Sequence, residues 1–383
     1  MKCRGCNIAT HEHVDIEFDS VIQHVDPALD SIAGSGQENV FVAPGFVDLQ
    51  VNGFAGVDYN SPDTTPDQIA RSLRVLFSTG VTRLFPTIIT GDPNSMLAAL
   101  RNLASVRDSV EAGGAMEAFH VEGPHISPED GPRGAHPREW VRPPAIDEFL
   151  RWQDAARGLV RLVTLSPEWP ESTAYIERLT REGVAVSIGH TAATEQQIRD
   201  AVSAGASLST HLGNAAHPVL PRKSNYIWEQ LAQDRLAASF IVDGWHLADS
   251  FLRVALRAKG IERSILITDA VMPATCPPGP YQLGGVEVEL KDDQRVVLRG
   301  GTRLAGSSLR MDHAIQNVMR IAGLSLMEAV TMATINPARV GRVVSRHRGL
   351  RPGERADLAR FRFENGRIEV LETFLGGRPV FQA

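Results

Sequence analysis

The sequence predicts an α/β protein: a (β/α)8 barrel of the TIM type, with a small β-sandwich domain built from both termini. Two observations carry this prediction. The long middle of the 383-residue chain alternates short apolar segments with helical patterns, which is the element order of a barrel with parallel strands. Both ends instead alternate apolar and polar residues between turns, as half-buried strands do. We therefore assign residues 1–43 and 341–383 to the sandwich and residues 44–340 to the barrel.

The terminal segments have the patterns of short strands. Near the start, the alternating runs are VDIEFDS, VIQHVD and NVFVAPG, and none of them favours a helix. Near the end, ADLARFRFENGRIEVLETFLGGRPVF predicts two or three strands joined by Asn-Gly and Gly-Gly turns. Two strand-rich ends around a long α/β middle favour one small sheet domain that both ends build together.

The middle of the chain contains the barrel elements in alternation. The segments that favour strands are 46–51, 82–88, 117–121, 160–165, 184–189, 207–210, 238–242 and 264–268. Helical patterns follow them, and we predict helices over 66–78, 92–112, 146–156, 194–204 and 249–259. A doubly wound open sheet is the structural alternative, but no Gly-rich dinucleotide fingerprint follows the first strand.

Composition limits the classes of function and partner. A hydrophobic content of 43% and a charged content of 22% are typical of a soluble globular protein. The net charge of −6 gives no general attraction to nucleic acid or to an anionic membrane. No run of 18 apolar residues occurs and the first residues lack the apolar stretch of a signal peptide. We therefore expect a cytoplasmic protein that binds neither nucleic acid nor membrane.

The three cysteines do not form a structural framework. Cys3 and Cys6 have the spacing of a zinc motif, but the only other cysteine is Cys276, so no four-thiolate site can form. Incidental thiols are the better interpretation of this pair.

Two histidines, His190 and His211, each end a short apolar run, in VAVSIGHTAAT and ASLSTHLGNAAH. The helix predicted between them opens with a capping box of Thr194 and Gln197. A strand–helix–strand unit of this kind brings both imidazoles to the same edge of a parallel sheet. Neutral imidazole is the commonest protein metal ligand, so this edge predicts a metal site. The alternative is that each histidine merely caps a strand.

Acidic, amide and imidazole side chains gather at the predicted strand ends, where barrels collect their function. These residues are Gln50, Asn52, Glu122, His125, His190, His211, His246 and Asp269. One glutamate and two histidines can supply a three-ligand site of the kind that catalytic zinc uses. Asp269 is placed to accept a proton from water and return it to a leaving group, although a helix N-cap or an ion-pair partner is the alternative role.

The order of these motifs resembles a known family. The motifs are PGFVDLQVNG, HVEGPH, SIGHT, STHLGNA, DGWH and ITDA, with LAGSSLRMDHAIQN and NPARVGRVVSRHRGLRPGERADLA nearer the end. Together they resemble the amidohydrolase superfamily and, within it, the N-acetylglucosamine-6-phosphate deacetylase family. The resemblance spans nearly the whole chain, and it implies hydrolysis of the acetamide of an amino sugar phosphate.

The resemblance also implies the site residues. Glu122, His190 and His211 match the metal ligands, Asp269 matches the catalytic acid and base, and His136 matches a histidine that polarises the acetamide carbonyl. The positions that match sugar-phosphate contacts are Asn214, Ala215, Arg222 and His246. Arg222 is expected to come from the neighbouring subunit of a homodimer. From the residues alone, Arg222 fits a solvated loop charge equally well.

The first predicted strand indicates how many metals bind. Many amidohydrolases carry His-x-His there and hold two metals, whereas this chain has Gln50 and Asn52. A neutral amide is a weak ligand, so we expect one divalent metal, with Gln50 contacting the metal water or the substrate. Zinc is the first candidate, and Fe²⁺ or Mn²⁺ also suits this ligand set. A second His-x-His, His11 and His13, lies before the barrel and is interpreted as surface histidines.

Departures from the family pattern leave the substrate open. Gly213 precedes Asn214 where the family has an aromatic residue, a bulky segment occupies residues 225–228, and Trp245 adds a large side chain beside the expected pocket. An aromatic ring there stacks on a sugar or narrows the site for another amide. The alternatives are therefore a hydrolase of another amide, a cyclic imide or an aminated ring, and a non-catalytic scaffold.

Overall fold

The computed structural model describes residues 1–28 and 39–383. The strands are β1 (Lys2–Asn7), β2 (His13–Phe18), β3 (Ile22–Pro27), β4 (Val40–Pro44), β5 (Phe46–Val51), β6 (Gly53–Phe54), β7 (Val57–Asp58), β8 (Val81–Ile89), β9 (Phe119–Glu122), β10 (Val160–Leu165), β11 (Ala185–Ile188), β12 (Leu208–Ser209), β13 (Ala237–Ile241), β14 (Ser264–Ile267), β15 (Gly279–Leu283), β16 (Val286–Leu290), β17 (Val296–Leu298), β18 (Leu358–Glu364), β19 (Arg367–Leu375) and β20 (Arg378–Gln382). The α-helices are α1 (Pro66–Phe77), α2 (Pro93–Ser109), α3 (Ile146–Ala155), α4 (Ser172–Arg181), α5 (Glu195–Ala204), α6 (Tyr226–Ala232), α7 (Asp249–Lys259), α8 (Met311–Ala322), α9 (Leu326–Ala333) and α10 (Ile335–Val340).

In the described part of the chain, eight parallel strands form the barrel, in the order β5, β8, β9, β10, β11, β12, β13, β14. The ends of this order meet where Val51 bridges to Ala270 and the Asp269 amide donates to the Gln50 carbonyl at 3.0 Å. The strands are buried on both faces, as continuous apolar runs in a parallel sheet require. The predicted (β/α)8 barrel is therefore confirmed.

Local signals in the sequence set the helix ends. The Thr194 side chain accepts from the Gln197 amide and completes the predicted capping box at the start of α5. The helix ends at Gly205, whose φ of 115° lies in the left-handed region that glycine adopts without steric cost. A second capping box at Thr65, followed by Pro66, starts α1. The helix predicted over 92–112 is shorter than expected, because α2 ends at Ser109 before a 3-10 turn at Gly113–Ala115.

Strands from both termini form one small domain. Among the described residues, one hydrogen-bonded sheet has the order β20, β19, β18, β4, β1, β2, β3. It folds over on itself, because the ring of Phe18 on β2 packs edge-on against Phe374 on β19, with centroids 5.2 Å apart. A small apolar core fills this fold. The assembly of a β-sandwich from both ends is confirmed, while the boundaries at 43 and 341 stay a prediction.

A three-stranded antiparallel sheet follows the last barrel strand and was not predicted. It consists of β15, β16 and β17, within residues 279–298, which the structure describes throughout. The turn at Gly284 and Gly285 lies over the open end of the barrel, where the Gly284 amide donates to Asp58 at 2.9 Å. This insert forms one wall of the cavity described below. In the residues that the structure describes, no helix is both long and apolar enough to cross a membrane.

Candidate active site

The carboxyl ends of three barrel strands bring Glu122, His190 and His211 together. The Nε2 atom of His211 lies 2.9 Å from Oε1 of Glu122, and Nε2 of His190 lies 3.4 Å from the same oxygen. The two imidazole Nε2 atoms are 3.2 Å apart, and all three side chains are buried. One carboxylate and two imidazoles thus converge on a single point, as the sequence predicted.

The outer ring nitrogens indicate how this cluster is protonated. Nδ1 of His190 lies 2.9 Å from the carbonyl oxygen of Pro132, so it carries the proton that it donates there. The lone pair of Nε2 then faces the cluster. Nδ1 of His211 is buried and has no hydrogen-bond partner among the described residues. Two imidazole nitrogens and one carboxylate oxygen that lie within 3.4 Å of one another form a donor set that fits a divalent metal.

The electrostatics of the cluster favour an ionised carboxylate. Burial raises the pKa of Glu122, but the adjacent imidazoles of His190 and His211 hold this pKa well below its ordinary value. Burial lowers the pKa of His211, but the hydrogen bond to Glu122 and the charges of Glu122 and Asp269 together raise this pKa above its ordinary value. The cluster therefore offers an anionic oxygen to a cation.

Asp269 lies beside this cluster on a network of amides. Its Oδ1 accepts hydrogen bonds from Nδ2 of Asn52 at 2.7 Å and from Nε2 of Gln50 at 3.1 Å. Gln50 Nε2 also lies 2.9 Å from Oε1 of Glu122, so one amide joins the two carboxylates. Burial, and secondly the charge of Glu122, raise the pKa of Asp269 to about 6. A carboxyl of this pKa can both take and return a proton near neutral pH.

His136 approaches the cluster from the loop after β9. Its Nε2 lies 3.8 Å from Oε2 of Glu122, and its Nδ1 lies 2.8 Å from the hydroxyl of Thr90. Burial, and secondly the charge of His190, lower the pKa of His136 to about 3. The ring is therefore neutral. Thr90, which follows β8 directly, is a neighbour that the sequence analysis missed.

These residues form the floor of a cavity of about 360 Å³ at the C-terminal end of the barrel. Of the predicted substrate residues, Asn214, Ala215 and His246 line it, whereas Gln50 lies below its surface. His246 is paired through Nδ1 with Oδ2 of Asp243 at 2.7 Å. Arg222 is exposed and is not part of the wall. No sequence motif indicated four further residues of the wall, which are Leu283, Val286, Arg303 and Leu304.

Other residues singled out in the sequence lie outside the cavity. His125 is buried between Trp152 and Tyr175, with ring centroids 5.4 and 5.3 Å away, so it is a core residue. Trp245 is 46% exposed and packs under Arg295, whose guanidinium carbon is 4.7 Å from the ring centroid. It does not line the cavity, and the expectation that it stacks on a sugar or narrows the site is corrected.

The bulky segment at 225–228 forms the start of a helix. The Asn225 side chain accepts from the amides of Ile227 and Trp228, each at 3.0 Å, and caps α6. The hydroxyl of Tyr226 lies 3.0 Å from Nδ1 of His217, beyond the cavity wall. This segment therefore stabilises the region beside the cavity instead of filling it.

The two N-terminal cysteines and the histidine pair His11 and His13 do not form a metal-binding arrangement. Cys3 and Cys6 are free and buried. Among the described residues, Glu122, His136 and His190 form a group whose possible ligand atoms all lie within 4.8 Å of one another. That group includes neither His11 nor His13. It contains His136 in place of His211, although His211 lies closer to the carboxylate of Glu122.

Comparison with known proteins agrees with this geometry. The amidohydrolase family model matches residues 41–380. N-acetylglucosamine-6-phosphate deacetylase of Bacillus subtilis is 32% identical over 88% of this chain and 84% of its own length. N-acetylgalactosamine-6-phosphate deacetylase of Escherichia coli O157:H7 is also 32% identical, over 89% of this chain and 88% of its own length.

Solved structures of deacetylases are similar to this chain over nearly its whole length. The crystal structure of N-acetyl-D-glucosamine-6-phosphate deacetylase from Mycobacterium smegmatis superposes with a TM-score of 0.86 at 30% identity, covering 96% of each chain. The enzyme of that name from Thermotoga maritima has the same TM-score at 25% identity, over the whole of both chains. The chain therefore belongs to the amidohydrolase family and, within it, to the N-acetylglucosamine-6-phosphate deacetylase family.

Proposed function

We propose that this protein hydrolyses the acetamide of N-acetylglucosamine-6-phosphate to glucosamine-6-phosphate and acetate. The convergence of Glu122, His190 and His211 beside Asp269 is the observation that carries this proposal. The relatives named above support the substrate class, and one of them is an N-acetylgalactosamine-6-phosphate deacetylase. The epimer at the sugar is therefore part of the test below.

Glu122, His190 and His211 would hold one divalent metal, with zinc as the first candidate and Fe²⁺ or Mn²⁺ as alternatives. When bound, the cation polarises the amide carbonyl and lowers the pKa of a water toward about 7. We assign His211 as the third ligand in preference to His136. Its Nε2 lies 2.9 Å from the Glu122 carboxylate, against 3.8 Å for His136. Gln50 and Asn52 supply amides where a second metal needs imidazoles, which supports a single metal.

Asp269 moves the proton in the proposed reaction. The amides of Gln50 and Asn52 hold its Oδ1, so Oδ2 is left to take a proton from the attacking water. As the tetrahedral intermediate collapses, the same oxygen returns the proton to the departing nitrogen. The products are then a free amine and acetate, and Asp269 is again ionised.

His136 stabilises the oxygen of the tetrahedral intermediate. When the Thr90 hydroxyl donates to Nδ1, the proton of the neutral ring lies on Nε2. That Nε2–H then points toward the cluster and can donate to the developing oxyanion. The Thr90 hydroxyl is therefore the group that we propose sets this tautomer.

The phosphate end of the substrate is proposed to contact Asn214, Ala215 and His246 in the cavity wall. Arg222 is exposed and lies outside the wall of its own chain. Its exposure leaves Arg222 available to a second copy of the chain, and we assign to the partner subunit's Arg222 a contact with the phosphate in a homodimer, since a planar guanidinium suits a phosphate dianion.

Acetate release from phosphorylated and unphosphorylated N-acetylglucosamine, phosphorylated N-acetylgalactosamine and a non-sugar acetamide tests the function. We expect kcat/KM for a phosphorylated sugar to exceed that for the non-sugar amide by about 100-fold or more. Metal analysis of the same preparation is expected to give about one divalent ion per chain. A preparation with full metal and no turnover of any acetamide would contradict a deacetylase, and a protein without metal would favour the scaffold.

A further inference from the structure

Arg303 lies in the cavity wall and has no role in the mechanism described above. It follows β17, just before the segment Leu304–Gly306 that lines the cavity beside Asp269. Its side chain is exposed at the cavity rim, and its Nη1 donates one hydrogen bond of 3.0 Å, to the carbonyl oxygen of Gly134. A guanidinium has five N–H donors, so most of its donors are available to a ligand.

The positive charge of Arg303 has no negatively charged partner in the described cavity wall. The acidic wall residues, Glu122 and Asp269, are already engaged at the floor. The imidazole of His246 is paired with Asp243. Among the wall residues that the structure describes, Arg303 is the only lysine or arginine. It forms no ion pair with a carboxylate of the described chain. An unpaired guanidinium at the rim of a pocket is a candidate anion contact.

Arg303 is also on the side of the cavity where the phosphate is proposed to bind. Gly134, to which it is hydrogen-bonded, packs against that wall. A Cβ atom built on Gly134 would lie 3.6 Å from the Cβ of Ala215 and 3.1 Å from Cε1 of His190. The hydrogen bond to Gly134 therefore connects Arg303 to the loop that carries His136 and packs beside Ala215 in the same cavity wall.

We propose that Arg303 is a specificity-determining residue that binds the phosphate dianion of the substrate from the same chain. The proposal rests on the proposed function, because it requires a phosphorylated substrate. It adds a contact that does not depend on the partner subunit. A bidentate arginine–phosphate pair neutralises the charge of the phosphate and fixes its orientation. The single hydrogen bond to Gly134 orients the guanidinium and leaves its other N–H donors for the phosphate.

The test compares phosphorylated with unphosphorylated N-acetylglucosamine in the metal-loaded protein. In Arg303→Gln, we expect the ratio of the two kcat/KM values to fall by about 10- to 100-fold, through KM for the phosphorylated sugar, as the loss of a charged hydrogen bond predicts. Inorganic phosphate should inhibit the wild-type protein competitively and the variant correspondingly more weakly. The matched control is Arg299→Gln, an exposed arginine of the same insert that pairs with Glu287 and lies outside the wall.

Two results would overturn the proposal. If Arg303→Gln lowers kcat/KM equally for both sugars, Arg303 only holds the loop of Gly134 and His136. If the ratio and phosphate inhibition both stay at the wild-type values, Arg303 has no contact with the anion. A wild-type protein that does not prefer the phosphorylated sugar contradicts the proposed substrate itself, and this measurement needs no variant.

Discussion

Three of the residues around the proposed reaction centre have an unusual backbone conformation. The φ angles of His190, His211 and Asp269 are 50°, 31° and 50°, in the left-handed region that non-glycine residues rarely adopt. Such conformations cost on the order of 1–3 kcal/mol each and persist where the surrounding structure enforces them. Here they turn the side chains at the strand ends toward one point. The sequence predicted which residues meet but not this backbone geometry, because it depends on contacts from neighbouring strands.

Asp269→Asn separates proton transfer from metal binding. Asparagine still offers an oxygen to the amides of Gln50 and Asn52, so we expect the metal content to stay at the wild-type level. Because an amide cannot take the proton of water, kcat is expected to fall by about 10²- to 10⁴-fold. Steady-state kinetics together with metal analysis check both parts. Wild-type turnover in a fully metal-loaded variant would rule out Asp269 as the proton carrier.

Thr90→Val tests whether the hydroxyl selects the tautomer of His136. Valine keeps the shape but removes the group that lies 2.8 Å from Nδ1 of His136. The loss of one hydrogen bond is worth about 0.5–1.5 kcal/mol, so we expect kcat to fall up to about tenfold. Thr90→Ser retains the hydroxyl and serves as the control. Equal kcat values in the two variants would show that the hydroxyl has no part in the reaction.

At the scale of single elements, a chain of hydroxyls lies beneath the cluster of Glu122, His190 and His211. The Thr164 hydroxyl lies 2.7 Å from that of Thr210, which in turn lies 2.5 Å from that of Ser187. These side chains lie on or directly after β10, β11 and β12, and Thr210 precedes His211. Gly189 lies above them, and a Cβ there would be 2.7 Å from Cγ2 of Thr164 and 3.0 Å from Cβ of Thr210. The edge of the sheet therefore requires glycine at position 189.

Gly189→Ala is expected to separate the two strand edges that hold His190 and His211. Overpacking of this kind costs about 1–3 kcal/mol, and we expect both a lower melting temperature and faster loss of metal to a chelator. The control is Gly114→Ala, since a Cβ at that position meets no atom closer than 4.0 Å. Metal retention in Gly189→Ala equal to that of the control would show that the edges tolerate the extra methyl group.

The elements that the sequence predicted well are those with a clear hydrophobic pattern. Buried strands such as Phe46–Val51 and Val160–Leu165 match their predicted bounds, since their apolar runs end at clear turns. The insert at 279–298 was missed although YQLGGVEVEL alternates around a Gly-Gly turn, which is a usable hairpin signal. Missing it also hid Arg303, because only the fold of the insert brings that residue to the cavity.

At the scale of the whole molecule, a buried charge network joins the barrel to the sandwich. Asp357 lies directly before β18 and is fully buried. Its carboxylate accepts two hydrogen bonds from Arg83 of β8, at 2.8 and 3.0 Å, and it lies 3.2 Å from Nη1 of Arg346. The Gly376 amide donates to it at 2.7 Å. Sequence analysis did not identify this network, since its members are 274 and 11 residues apart along the chain and single charges have no periodic pattern.

Asp357 makes the stability of the junction depend on pH. Burial raises the pKa of this carboxyl, but Arg83 and Arg346 outweigh that effect and lower the pKa from 3.8 to about 2. A carboxyl whose pKa is lower in the folded state stabilises that state above the unfolded pKa, and the contribution is lost as the pH falls through the folded value. A shift of this size is worth about 2 kcal/mol, lost between about pH 4 and pH 2.

Asp357→Asn therefore has two separable effects on the free energy of unfolding. At neutral pH the variant leaves the buried Arg346 without its carboxylate partner and Arg83 with Glu117 alone, and we expect a loss of about 3–5 kcal/mol in urea unfolding. Between pH 4 and pH 2 the wild-type protein should lose about 2 kcal/mol more than the variant, because the variant has no carboxyl to protonate at this position. Asp293→Asn, at an exposed carboxyl paired with Arg295, is the control and should follow the wild-type curve more closely. Parallel curves for wild type and Asp357→Asn would show that this carboxyl is not ionised in the folded protein, and the junction would then depend on its hydrogen bonds alone.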